Sequence, residues 1–400
     1  MDLKSGYPFW AVKNGLMQTY APLHADVRCD VAVIGAGITG AIIADALADA
    51  GFDVAVFEQR DVGWGSSAAS TALLQYEIDT HLTDLSREYG KGQAGLAYRA
   101  CQDAIGQLRD LARDIRDVDF AMSDSLYFAS HLWHVPRLRR EFKARRDAGL
   151  DTHWLDRADI ARAYDFDAPA ALLTHVAARI DPYRLAHRLL HRLHRRGAGV
   201  YGRTRLEPVH AGSRQVVLET GEGARVTARH VVVAAGYEAQ RWIDETVARN
   251  RSSYACITEP VELGALANTL LWESARPYLY LRSTGDSRLL VGGEDDAVDI
   301  PKRRDARVET KADKLLRRVA GLFPHLATEP SFGWAGTFAE TKDGLPFFGP
   351  HPQWGPRVLF AMAYGGNGIV YSMIGAGLLR AWLERRAHPL KALFGFERLR

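Results

Sequence analysis

The residues with the clearest chemical meaning lie near the start of the chain: Gly35, Gly37 and Gly40, then Glu58, then the hydroxyls of Ser66, Ser67, Ser70 and Thr71. Asp30-Val31-Ala32-Val33-Ile34 is a short apolar run that opens into Gly35-Ala36-Gly37-Ile38-Thr39-Gly40, and the helix-like stretch from Ala41 to Ala48 follows. In such a strand, turn and helix, Gly35 permits the sharp turn and Gly37 lets backbone N–H groups approach a pyrophosphate. Gly40 allows close helix packing, and the helix N-terminus beyond Ile38 and Thr39 favours the negative charge.

Other elements must hold these groups in place. Gly51 ends the helix, and Phe52 to Phe57 reads as a second strand that finishes at Glu58. A carboxylate roughly 20 residues past the glycines is placed to accept hydrogen bonds from an adenosine ribose, which favours a nucleotide with a free 2′-hydroxyl over NADP. The glycines alone also fit a turn in an unrelated α/β protein with Glu58 merely solvated, and they do not separate FAD from NAD. The loop from Arg60 to Thr71 does, because a small-residue, hydroxyl-rich segment directly after the ribose carboxylate can wrap a long cofactor. Gln59 and Arg60 are counted with it, and its N–H groups and hydroxyls are expected on the pyrophosphate and ribityl chain.

The whole chain sets the limits for this reading. Its 400 residues allow two to three domains, or two intertwined ones with a sizeable core. Lys and Arg total 51 against 48 Asp and Glu, a net charge of +3 that gives no field arguing for nucleic acid, so a small molecule is the expected partner. Cys29, Cys101 and Cys256 stand far apart, without zinc or disulfide spacing. No basic-then-apolar leader is seen, and a cytoplasmic location is expected. The uncharged run from Val358 to Leu379 is long enough to span a bilayer. Its glycines, with Gly365-Gly366-Asn367-Gly368 at the centre, predict a buried strand, a tight turn and a buried helix instead.

With these motifs together, the sequence resembles the D-amino-acid oxidase superfamily of FAD-dependent oxidoreductases, in particular the glycine oxidase, sarcosine oxidase and gamma-glutamylputrescine oxidase branch. The resemblance also rests on Ile180-Asp181-Pro182-Tyr183-Arg184-Leu185, His230-Val231-Val232-Val233-Ala234-Ala235-Gly236, Lys342-Asp343-Gly344-Leu345-Pro346 and Ala363-Tyr364-Gly365-Gly366-Asn367-Gly368-Ile369. It implies an α/β fold: a Rossmann-type FAD-binding domain interleaved with an α+β substrate domain whose sheet is mainly antiparallel. Residues 1–90, 152–250 and 335–400 are expected to form the first, and 91–151 and 251–334 the second. Ala234, Ala235 and Gly236 would return a strand to the cofactor. Gly365 through Gly368 would pass close to the flavin ring, with the helix from Ile369 aimed at its pyrimidine end. FAD is expected to be noncovalent, since Gly336-Thr337-Phe338 stands where cysteine-linked members carry their cysteine, and the Arg60–Gln75 loop has no histidine.

The resemblance implies oxidation of an amine or amino-acid-like molecule by hydride transfer to flavin N5, with dioxygen or another acceptor reoxidising the flavin. Two arginines of glycine oxidase are missing here, replaced by Thr337 and Gly366. Arginine forks clamp carboxylates, so an α-amino acid held in the glycine-oxidase manner is not expected. Alternation in Pro277-Tyr278-Leu279-Tyr280-Leu281-Arg282 predicts a strand with Tyr278, Tyr280 and Arg282 on one face. Tyr280 and Arg282 are the candidate roof of the substrate site, and Gln75 the candidate contact after the hydroxyl loop. An ordinary solvated face and a structural glutamine are the competing readings.

The basic stretch Arg137 to Arg146 is read as a solvated helix face rather than a membrane contact. His187, His191 and His194 share a helix face but lack the partners of a metal site. Two other functions stay open: a hydroxy-acid or polyol dehydrogenase, which needs a base near the flavin, and a non-catalytic flavin-binding subunit of a heteromeric oxidase.

Overall fold

The computed structural model describes residues 2–399 apart from Leu16, Val298 and Ala327. Two sheets organise them. In the first, the strands run in the order Phe347–Pro350, Val358–Met362, Arg225–Val233, Val27–Ile34, Val54–Phe57 and Gly199–Tyr201. Every pair on this path is parallel except the edge pair Phe347–Pro350 with Val358–Met362. Ile34 lies opposite both Phe57 and Val233, and Val233 lies opposite Phe360. The C-terminal strand ends therefore finish level, and the crevice beyond such ends is where open parallel sheets take ligands.

The helices Ile38–Asp49, Pro182–Arg195 and Gly368–Leu383 pack together on this sheet. The first is buried nearly all round, as its composition, mostly Ala, Ile and Leu, requires. Asp181 caps the second by accepting the N–H of Arg184 at 2.9 Å, with Pro182 in the first turn, as the Asp-Pro pair predicts. The uncharged stretch from Val358 to Leu379 divides into the buried strand Val358–Met362, the glycine turn and most of the helix Gly368–Leu383. Among the described residues no helix is long and apolar enough to cross a membrane.

The second sheet has nine strands, all antiparallel except for Ala121–Phe128 beside Thr269–Glu273. One face is apolar: Leu279, Leu281, Leu289 and Val291 pack with Leu315, Val319 and Phe323 of the covering helical segment. The opposite face looks back at the strand ends of the first sheet. The expected α/β architecture with a mainly antiparallel second sheet is thus present. The sheets cut across the expected boundaries at 90, 152 and 335, because Leu73–Gln75 and Ala170–Arg179 pair within the second sheet and Pro330–Glu340 is its edge.

The segment before the first strand is also built in. Ser5 N donates to Ala335 O at 3.0 Å, Thr337 N donates to Leu3 O at 2.9 Å, and the buried Trp10 indole donates to Ser70 O at 2.7 Å.

In the basic stretch, Arg137, Arg139, Arg140, Lys143 and Arg146 are exposed, whereas Arg145 is fully buried beside Glu141 and Glu77. His187 is buried against Tyr183, ring centroids 4.4 Å apart, and no group of residues able to hold a metal occurs among those described.

Candidate active site

The glycine turn works by geometry. Gly35 has φ of +107°, and a Cβ there would meet Ala234 O at 2.4 Å; the left-handed backbone and the contact both require glycine. A Cβ on Gly40 would fall 1.8 Å from Gly35 O, so the helix can approach the turn only without a side chain. Gly37 is the N-cap of the helix and offers no side chain to its first N–H groups; Ser67 Oγ accepts from Ile38 N at 2.8 Å. Thr39 and Ser372 share a hydroxyl hydrogen bond at 2.8 Å, joining the two helices that begin at the crevice.

Glu58 Oε2 accepts from Ala36 N and Oε1 from Arg60 N, each at 2.9 Å. Burial pushes its carboxyl above the usual range, against the pull of those N–H groups and of the Arg60 guanidinium. The side chains of Gln59 and Arg60 both reach the buried carboxylate of Glu238, Arg60 at 2.6 Å.

One continuous cavity runs from this turn to the face of the second sheet. Every proposed cofactor position from Gly35 to Ile369 contributes to its wall except Gly40, which instead seats the helix. The hydroxyl loop contains the short helix Ser66–Ala69 and lies along the cavity. At the far end the helix Gly368–Leu383 starts with Asn367 as its N-cap, yet the Asn367 side chain donates to Glu77 O at 2.8 Å and leaves the helix end uncapped. Two helix N-termini without a capping side chain from their own N-cap residue thus border one cavity. Such ends stabilise negative charge, which fits a pyrophosphate at the first and an electron-rich ring system at the second.

The far end is closed by Gln75, Tyr237, Trp272, Tyr278 and Tyr280. Tyr278 and Tyr280 face the cavity, and a Cβ on Gly292 would strike the Tyr280 ring at 2.4 Å, so that glycine makes room for it. Burial raises the Tyr280 hydroxyl to about 12, which keeps it a neutral donor. Arg282 shares this sheet face but does not reach the cavity. It is buried, and its guanidinium donates to Thr71 O at 2.7 Å, Ser283 O at 3.0 Å and Ile180 O at 3.1 Å. A fork spent on three backbone carbonyls leaves none for a substrate, so the expected substrate role of Arg282 gives way to bracing the loop at Thr71.

The glycine turn, the Glu58 carboxylate framed by backbone N–H groups and the long cavity coincide with a match to the family described as FAD dependent oxidoreductase (DAO) over residues 30–382. The chain belongs to this family. It is therefore an FAD-dependent oxidoreductase. It is 28% identical over 375 residues to glycine oxidase of Geobacillus kaustophilus, covering 90% of this chain and 93% of that one. It is 27% identical over 391 residues to gamma-glutamylputrescine oxidoreductase of Escherichia coli, with 93% and 88% covered. The solved glycine oxidase from G. kaustophilus superposes with a TM-score of 0.78 at 23% identity, over 92% of this chain and 98% of that one, a likeness of fold.

Sequence reasoning missed several wall residues: Leu3, Asp79, Tyr237, Trp272, Arg276 and Trp334. Tyr237 directly follows the Ala234-Ala235-Gly236 motif, an adjacency that would have pointed to it. Asp79 and Arg276 stand close to Gln75 and Tyr278 in sequence, but no pattern marks them, and Leu3, Trp272 and Trp334 are announced by no spacing.

Proposed function

We propose that this oxidoreductase acts on an amine or amino-acid-like small molecule and holds FAD without a covalent bond. Bound FAD would supply the hydride acceptor at N5. Glu58 would hold the adenosine ribose, the Gly37–Thr39 helix end the pyrophosphate, and the Ser66–Thr71 loop the ribityl chain. The 365–369 turn would sit against the ring, where backbone N–H groups offset charge that develops on reduction.

The observation that carries the choice of substrate is the make-up of the far end. Among the described residues no histidine lines the cavity, and Asp79, the carboxylate that lines it beside the 365–369 turn, is engaged by the Gly366 N–H; a hydroxyl substrate calls for a base to take its proton. A neutral amine needs positioning above all, and Tyr237, Trp272, Tyr278 and Tyr280 with Gln75 offer an aromatic slot for it. Among the described residues no cysteine lines the cavity either, which supports noncovalent FAD. Dioxygen or another acceptor would then reoxidise the flavin.

The test is acid precipitation followed by anaerobic mixing of the intact protein with amines and hydroxy acids. Yellow colour released to the supernatant and bleaching by an amine support the reading. Colour that stays with the precipitate overturns noncovalent binding, and bleaching by hydroxy acids alone overturns the amine assignment.

A further inference from the structure

The far end of the cavity carries charges of both signs on different segments. Asp79 follows the strand Leu73–Gln75, and its Oδ2 accepts from Gly366 N at 2.9 Å. Arg276 lies between the strands Thr269–Glu273 and Leu279–Ser283. Its guanidinium stacks over the Tyr278 ring at 4.5 Å and donates to Ala275 O at 3.3 Å. Both residues line the cavity. Among the described residues neither has an ion-pair partner, and they are not paired with each other.

A third charged group lies near them. The β-bulge at Gly293, φ +132°, and Glu294, φ +55°, interrupts the register between the strands Arg288–Asp296 and Arg249–Pro260 and precedes Asp295. Asp295 lies beside Ser253, itself on the cavity wall, and its Oδ1 is buried without a partner among the described residues. The far end thus holds the Asp79 carboxylate, with the Asp295 carboxyl behind its wall, and, at its exposed rim, one guanidinium.

An unpaired carboxylate in a partly dry cavity attracts an ammonium group strongly, and tyrosine faces reinforce that preference. An unpaired guanidinium is a planar fork suited to a carboxylate. We propose that the substrate is an elongated zwitterion, its ammonium group received beside the half-buried Asp79, where it gives one proton to solvent before the neutral amine loses hydride, and a carboxylate several bonds away received by Arg276 at the rim. This rests on the amine reading above and narrows it. An α-carboxylate lies too close to its nitrogen to use both charges well.

The experiment compares glycine, β-alanine, γ-aminobutyrate, δ-aminovalerate and n-butylamine in anaerobic bleaching of the holoenzyme. A longer zwitterion is expected to bind about tenfold or more tightly than glycine and than n-butylamine, the worth of one charged hydrogen bond. Arg276→Gln should weaken γ-aminobutyrate about tenfold more than n-butylamine. Asp79→Asn, which keeps an acceptor for Gly366 N–H, should weaken every amine. Equal binding of n-butylamine and γ-aminobutyrate, or equal effects of Arg276→Gln on both, would overturn the proposal.

Binding of γ-trimethylammoniobutyrate, which has no N–H and cannot become a neutral amine, is read from the flavin spectrum and separates the two claims. If it perturbs the spectrum of the parent but not of Arg276→Gln while no amine bleaches the flavin, the charge pattern stands and amine oxidation falls.

Discussion

The Glu58 carboxylate accepts the backbone N–H of Ala36 at 2.9 Å, which ties the end of the second strand to the glycine turn that begins the first helix. Arg60 N holds the other oxygen, so the carboxylate is framed by backbone on both sides before any ligand arrives. Glu58→Gln should lower FAD affinity about tenfold or more, since hydrogen bonds to charged groups contribute about 1.5–3 kcal/mol. Titration of the apoprotein followed by flavin fluorescence checks this, and an unchanged affinity would remove Glu58 from the ribose.

The glycines should separate by role. Gly40→Ala places a Cβ 1.8 Å from Gly35 O, a clash between backbone elements that no rotamer relieves, and soluble folded protein should be lost. Gly37→Ala meets only Ser67 Oγ at 3.0 Å; it should fold, with normal circular dichroism, but retain little FAD after gel filtration.

The N-terminal unit was legible because its physics is local. The strand Val27–Ile34, the helix Ile38–Asp49 and the strand Val54–Phe57 match the predicted order, and the Asp181-Pro182 helix start and the strand ending at Val233 match theirs. The substrate end was not legible, because it is assembled from non-neighbouring strands. Alternation correctly put Tyr278, Tyr280 and Arg282 on one face, but period cannot tell which part of a sheet face overlies a cavity. Arg282 lies over Trp10 instead, its guanidinium 5.2 Å from that ring, and Trp10 reaches it from a segment in which no motif was recognised.

Arg282→Met should therefore act on stability rather than on substrate. It leaves Thr71 O and Ile180 O without their donor, and unpaired buried groups cost about 1–3 kcal/mol each. Chemical denaturation should show the loss, with amine affinity of the folded fraction unmoved. A large change in that affinity with stability preserved would restore Arg282 to the substrate site.

Asp295 should make stability depend on pH. Burial is the largest cause that raises its carboxyl from 3.8 to about 6, so the fold favours the protonated form. The unfolded chain releases that proton first as pH rises, and stability falls from about pH 4 through about pH 6 and stays lower above. Asp295→Asn should gain about 1–3 kcal/mol at neutral pH and nothing near pH 4, as read by thermal unfolding across that range. A gain that is the same at both ends would contradict the assignment.

The central claim is hydride transfer from an amine carbon to the flavin in this cavity. Stopped-flow bleaching of the anaerobic holoenzyme, with an amine deuterated at the carbon bearing nitrogen against its protiated form, tests it most directly. The account predicts bleaching by both and a primary isotope effect clearly above one on its rate; a flavin that dithionite reduces but no amine bleaches would contradict it.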